Sequence, residues 1–304
     1  WDKVLDSVHA SGVTGLELTF SPFNWQDAVR SYGSVKSFAN ELSRRGLEVS
    51  SGFFAEVEST GDYTDPVAQA AILDKADRYA EFLNACGADI MVIGAPLRQT
   101  RGSQPVRFHD FEQARRIADF INRLGATVFA RGVRLALHTE AHTVFGNARD
   151  VDLMMLLTDP DYVHLCPDTA HITLTGSDPV QLVGRHMERM IITHWKDAIG
   201  AMPPDTPSAV FLPARPRQGR LASLDAASQG GRLRRLGDPR ARPAAQSDYR
   251  YRDGPEARQP GARPDFSLRV IIDPTQFSNG FVLGATAAKV RQRFCVRNCI
   301  KQIR

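Results

Sequence analysis

The sequence predicts a parallel α/β fold, and three observations carry the prediction. Short β-branched or apolar runs alternate with longer helical patterns from residue 14 to residue 198. The segments that join them are short. Two of the runs, Val163–Cys166 and residues 190–193, lead straight into polar reactive side chains: Asp168 and His171 after the first, His194 and Lys196 after the second. Runs of four residues are too short for a helix and long enough for a buried strand. Strands bridged by helices pair in parallel, and such sheets collect functional groups at the C-terminal ends of their strands.

Taken in order, residues 2–10 carry Val4, Leu5 and Val8 at helical spacing, and Gly12 supplies the stop. Residues 14–20 are a strand with Glu17 at its centre. Residues 34–45 are helical and end at Gly46. Residues 47–54 form a strand closing on Gly52-Phe53-Phe54. Asp65 caps, and Pro66 opens, a long helix reaching about Cys86, with Gly87 as its stop. Residues 90–93 are a buried strand that runs into Gly94-Ala95-Pro96, followed by an amphipathic helix over 111–129 and a strand over 133–137. A helix over 147–157 exits through Asp159-Pro160-Asp161. Between the last two strands, Asp178 and Pro179 open a helix over 180–187 by the same cap chemistry as Asp65 and Pro66.

Bulk properties narrow the function. The chain of 304 residues suits one barrel of roughly 250, and no apolar run approaches the ~20 residues needed to cross a bilayer. Residue 1 is Trp, with no charged-then-apolar leader before the first helix, so a fragment is expected. Cys86, Cys166, Cys295 and Cys299 form no CxxC pair, which makes a reducing cytoplasm the default. Residues 1–202 hold 19 basic and 26 acidic groups, whereas residues 203–304 hold 19 and 8. The part that reads as folded is therefore acidic and gives nucleic acid no electrostatic reason to bind. Two regions follow: an α/β unit over 1–202, and an Arg/Pro-rich tail over 203–304 with 12 Arg, no Lys and 10 Pro between residues 203 and 264. That tail reads either as a disordered basic segment or, the favoured reading, as sequence out of frame from near Phe211.

Six of the eight histidines fall between residues 138 and 194. The exit of the 133–137 strand reads His138-Thr139-Glu140-Ala141-His142, where alternation sends His138 and Glu140 to one side and leaves His142 in the loop beyond. Carboxylate and imidazole together suit a hard or borderline divalent ion: Mn²⁺, Co²⁺, Mg²⁺ or Zn²⁺. No GxxxxGK[ST], no GxGxxG after a strand and no GxSxG occurs, so nucleotide-dependent and serine-hydrolase chemistry lack support.

Three motifs, Asp168-Thr169-Ala170-His171, Gly176-Ser177-Asp178-Pro179 and His194-Trp195-Lys196-Asp197, together resemble the xylose-isomerase-like TIM barrels, which include sugar isomerases, sugar epimerases and inosose dehydratases. The resemblance implies a (β/α)8 barrel, here incomplete, with a strand missing before the first helix and the last strand absent or garbled. It implies a divalent metal held by Asp168 and His194, with Glu140 or His138 at the strand-five exit; Glu140 is preferred. Glu140 would also move a proton, while His171 would touch a sugar hydroxyl or orient Asp168. Lys196 would pair with substrate oxygens, and Asp197 would hold Lys196 or start the next loop. Glu17 reads as a substrate or supporting group, or equally as a surface charge. His142 and Trp195 join Trp25, Phe53 and Phe54 as candidates for the substrate wall. The implied function is isomerisation or epimerisation of a small sugar or polyol by proton abstraction next to a carbonyl. An inosose dehydratase-like lyase and a non-catalytic fragment are the alternatives. The family's strand-eight Glu has no counterpart in the tail, so this chain is expected to bind metal poorly and to be inactive. The expected partner is a small sugar or polyol, with no nucleic acid or membrane, and homo-oligomerisation is left open.

Overall fold

The computed structural model describes residues 1–59, 65–100, 104–198, 200–201 and 211–212, with backbone only for Ser59, Asp197, Phe211 and Leu212. Its elements run α1 (Asp2–Ala10), β1 (Gly15–Leu18), α2 (Trp25–Tyr32), α3 (Val35–Arg44), β2 (Glu48–Phe54), α4 (Glu56–Ser59), α5 (Pro66–Ala85) and β3 (Ile90–Ile93). They continue with α6 (Phe111–Phe129), β4 (Arg134–His138), α7 (Ala148–Leu157), β5 (Val163–Cys166), α8 (Thr169–Leu174), α9 (Pro179–His186), β6 (Asp197–Ala198) and β7 (Phe211–Leu212).

Helix starts are fixed where the sequence supplies a side-chain acceptor. Asp65 accepts from the N–H groups of Val67 and Ala68, Asp178 from those of Val180 and Gln181, and Asn147 from that of Asp150. Sequence reasoning passed over α2 and α8. Asn24 starts α2 by accepting from the Asp27 N–H at 2.8 Å. The residue that starts α8 is Asp168, which the sequence marks for chemistry rather than for capping.

Strands β1 to β5 form one parallel sheet in sequential order. Residues 190–193, expected to be a strand, do not form a continuous ladder. Met190 makes an isolated parallel bridge with Leu165 of β5, and just beyond the two segments His194 makes another with Asp168. The Ile191 N–H donates to Leu165 O at 3.3 Å and the His194 N–H to Pro167 O at 3.0 Å. The short β6 pairs antiparallel with β7. Apart from that pair, the expected tail lies outside the described residues.

The sheet is rolled. In a flat sheet, β1 and the segment beside β5 would lie five strand spacings apart, about 24 Å at ~4.8 Å each. Instead the Glu17 carboxylate on β1 stands 3.3 Å from the His194 ring. Alternation then sorts the side chains into two sets. Leu16, Leu18, Met91, Ile93, Leu135, Leu137, Val163 and Leu165 join the helices in the outer core. Phe53, Ile90, Val92, Ala136, Cys166 and Ile192 form a separate inner cluster.

Gly52 is one position where the residue type follows from packing. A Cβ there would meet the Tyr79 hydroxyl at 2.0 Å and Leu83 Cδ2 at 2.9 Å, so β2 and α5 approach as closely as they do only across a glycine. Among the described residues no helix is long and apolar enough to cross a membrane.

Candidate active site

The inner face of the rolled sheet changes from apolar to ionisable at its C-terminal end. Glu17, His138, Asp168 and His194 are all fully buried there, and Lys196 and His171 nearly so. Strand alternation puts them there: His138 follows Ala136 two residues on, and Asp168 follows Cys166, each along the inward-facing row.

Asp168 is the hub. Its Oδ1 accepts the backbone N–H groups of Ala170 at 3.1 Å and His171 at 3.2 Å, which locks the carboxyl group as the N-cap of α8. Its backbone N–H donates to Thr139 Oγ1 at 2.8 Å. The other oxygen, Oδ2, faces inward towards His138 Nε2 at 3.3 Å, His194 Nδ1 at 3.9 Å and the Lys196 ammonium, with which it forms an ion pair. Burial alone would raise the Asp168 pKa, but Lys196, then His171 and His138, outweigh it and hold the carboxyl well below the usual carboxylate range.

Each histidine has a partner that sets its protonation. The Ala141 N–H donates to His171 Nδ1 at 3.0 Å, so the neutral ring carries its proton on Nε2 and is a hydrogen-bond donor there. Burial pushes His171 down to about 3, against the pull of Asp168. His194 Nε2 lies 3.3 Å from Glu17 Oε1, and Glu17 in turn accepts from Ser51 Oγ at 2.9 Å. Burial pushes His194 down to about 4 despite Glu17, so its neutral tautomer donates to Glu17 and turns an Nδ1 lone pair towards Asp168. His138 moves the other way. Burial would lower it, but hydrogen bonds to Asp168 and to Glu140, 3.5 Å from Nδ1, raise it.

These residues fit a divalent cation. Two electron-rich atoms, His194 Nδ1 and Asp168 Oδ2, face each other at 3.9 Å, and among the described residues His194 Nδ1 has no hydrogen-bond partner. Ligand bonds of about 2.0–2.2 Å each would span that gap. A second grouping, His138, Asp168 and His171, has one possible ligand atom from each within 4.8 Å of the others. Chemistry disfavours His171 in it, because the proton on Nε2 occupies the lone pair that a metal would need.

Of the sequence-predicted residues, Glu17, His138, Asp168, His171, His194 and Lys196 come together. Glu17 is not the surface charge that the sequence left open, since it is fully buried. Glu140, preferred over His138 as the ligand, lies 3.5 Å from His138 Nδ1 with its side chain 22% exposed, and it is His138 that touches Asp168. Lys196, expected to pair with substrate, is paired with Asp168. The Asp197 side chain lies outside the described residues.

His142, expected at the substrate, is exposed on a loop in the left-handed region, with φ 70°. In the outer layer Trp25 stacks on Tyr79, and Phe54 packs against the same ring at a tilt. Phe53 of the proposed aromatic wall meets the site, edge-on to His138 at 5.6 Å. Trp195 is half-buried, and its indole N–H has no hydrogen-bond partner among the described residues. Sequence reasoning missed Ser51 and Thr139. Ser51 is the register partner of Glu17 across β1 and β2, a relationship that strand pairing alone reveals.

A rolled parallel sheet with ionisable groups gathered at its C-terminal strand ends defines the class of α/β-barrel proteins. Within that class the chain belongs to the xylose isomerase-like TIM barrel family, whose model matches residues 5–221. An inosose dehydratase of Clostridium perfringens is 26% identical over 188 residues, 60% of this chain and 61% of that protein. One of Salmonella typhimurium is 29% identical over 164 residues, 52% of each chain. The chain thus spans about half to three fifths of the length of the curated relatives it matches.

Solved structures share the fold at lower identity. The probable 3-DHS dehydratase AsbF of Bacillus anthracis superposes with a TM-score of 0.58 at 14% identity, covering 76% of this chain and 84% of that one. A Mycobacterium smegmatis xylose isomerase-like TIM barrel protein in complex with magnesium gives 0.57 at 19% identity, covering 76% and 78%. The IOLI protein with a bound zinc atom gives 0.61 at 14%, covering 75% and 79%.

Proposed function

We propose that the protein is a metal-dependent enzyme that abstracts a proton next to the carbonyl of a small sugar or polyol. The convergence of Asp168 and His194 at 3.9 Å inside the barrel mouth is the observation that carries this reading. Asp168, His194 and His138 would hold the ion, of which Mn²⁺, Co²⁺, Mg²⁺ and Zn²⁺ all suit the donor set. Zinc and magnesium in two fold neighbours are consistent with that choice. When bound, the ion would act as a Lewis acid on substrate oxygens.

The chain's own residues divide the remaining work. Glu140, 3.5 Å from His138 and partly exposed, would take the proton. His171, whose Nδ1 accepts the Ala141 N–H, would use its Nε2–H towards a substrate oxygen. Phe53 and Trp195 would wall the site. Counted as carboxylates, Glu17, Glu140 and Asp168 against one Lys196 ammonium leave two negative charges for a divalent ion to neutralise.

Proton abstraction can end in isomerisation, in epimerisation or in loss of water. Eight inosose dehydratases among the curated relatives favour water loss over the isomerase outcome that the motifs alone put first. Incubation with a keto-inositol and Mn²⁺ in D₂O separates the outcomes. A dehydratase develops enone absorbance, and an epimerase incorporates deuterium beside the carbonyl without losing water. If neither signal appears with keto-inositol or a panel of ketoses, while Mn²⁺ leaves the thermal midpoint unmoved, the enzymatic reading is wrong.

A further inference from the structure

We propose that Lys196 is a resident counter-cation of Asp168 that a divalent ion displaces, so that metal binding and release of the lysine head group are a single exchange. The inference rests on the reading that Asp168 and His194 hold the metal.

Only one oxygen of Asp168 is available to the barrel interior. Oδ1 is committed to the Ala170 and His171 N–H groups at the start of α8. Lys196 is ion-paired with Oδ2, the same atom that faces His138 Nε2 at 3.3 Å and His194 Nδ1 at 3.9 Å. The ammonium therefore stands at the carboxylate oxygen that a metal ligand set built on Asp168 and His194 requires. Two cations on one buried carboxylate oxygen repel each other strongly at low dielectric, so the two occupancies exclude one another.

The backbone stays put while the head group moves. The Thr169 hydroxyl donates to Lys196 O, and the Lys196 N–H donates back to the same hydroxyl at 3.2 Å. That anchor lies at the main chain, and four methylene groups separate it from the ammonium. A displaced ammonium thus swings within the mouth of the barrel, where substrate oxygens bind in the proposed function. In the metal-free chain it satisfies Asp168, whose Oδ2 otherwise faces the His138 and His194 rings.

Calorimetric titration of the full chain with Mn²⁺ tests the exchange, comparing wild type with Lys196→Met and Lys196→Arg. The expected result is at least tenfold tighter Mn²⁺ binding by K196M, with K196R no tighter than wild type because it keeps a cation at Asp168. Equal or weaker binding by K196M, with wild type still binding, overturns the exchange and leaves the metal site standing. Absence of Mn²⁺ binding in all three overturns the metal reading and the exchange with it. Should K196M fail to fold, acetic anhydride labelling of the wild type decides. Lys196 is expected to acetylate at least fivefold faster with saturating Mn²⁺ than in EDTA, and an unchanged rate in protein shown to bind Mn²⁺ overturns the proposal.

Discussion

Glu17 and His194 are 177 residues apart in the chain, yet the carboxylate of one stands 3.3 Å from the imidazole of the other. Both side chains are fully buried. This contact joins the first strand of the sheet to the segment beyond its last, and it fixes which nitrogen of His194 carries the proton. The carboxylate is therefore a positioning group for the candidate metal ligand, as partners of ligating histidines commonly are.

Replacing Glu17 should weaken metal binding without removing any ligand. Glu17→Ala is expected to lower Mn²⁺ affinity by about 10–100-fold, and Glu17→Gln, which keeps an acceptor for His194, to recover most of it. Calorimetry with both variants is the measurement. Equal affinities for E17A and wild type would show that the carboxylate does not orient His194.

Asp168→Asn should destabilise the metal-free protein. The substitution leaves the Lys196 ammonium buried without its carboxylate, a loss of about 3–5 kcal/mol. Asn retains a carbonyl oxygen for the Ala170 and His171 N–H groups, so the cap of α8 contributes little to the difference. Urea unfolding of both proteins in EDTA gives the value, and a change below about 1 kcal/mol would contradict a structural role for the pair.

Stability of the metal-free protein should fall as the medium is acidified. His171 and His194 ionise near 6.5 when unfolded, and burial lowers them to about 3 and about 4 in the folded chain. Between pH 6.5 and 4 the unfolded chain therefore binds protons that the folded chain does not, so stability is present above the unfolded value and is lost as pH drops. Two such groups give a slope of roughly 2.7 kcal/mol per pH unit at its steepest. His138, raised in the folded chain, has the opposite sign; its contribution is lost as pH climbs above its folded value. Urea midpoints across pH 4–8 in EDTA test this, and a flat profile below pH 6.5 would be incompatible with two buried neutral histidines.

Gly52→Ala should loosen the contact of β2 with α5. The added Cβ would sit 2.0 Å from the Tyr79 hydroxyl, whose ring is buried and stacked on Trp25. Relief requires the ring or the strand to shift, with a cost of about 1–3 kcal/mol. Thermal unfolding of G52A reads it, and an unchanged midpoint would mean that Tyr79 relocates freely.

Local chemistry was legible in the sequence. The helix over 111–129, the strands at 90–93 and 163–166, and the caps at Asp65 and Asp178 follow from periodicity and acceptor side chains within a few residues of each other. So was the approach of Asp168 to His194, through the two motifs that carry them. The segment at 190–193 misled because its run has strand composition, while only Met190 within it bridges to β5.

Period-two alternation fixed that His138 faces the same side as Glu140, and a sequence can go no further than that. Which side is interior, how tightly the sheet rolls, and hence that Glu17 reaches His194 and Lys196 reaches Asp168, depend on strand register and curvature summed over the whole sheet. Those are set by the packing of helices such as α5 against β2, contacts between residues far apart in the chain, and only the tertiary structure decided them.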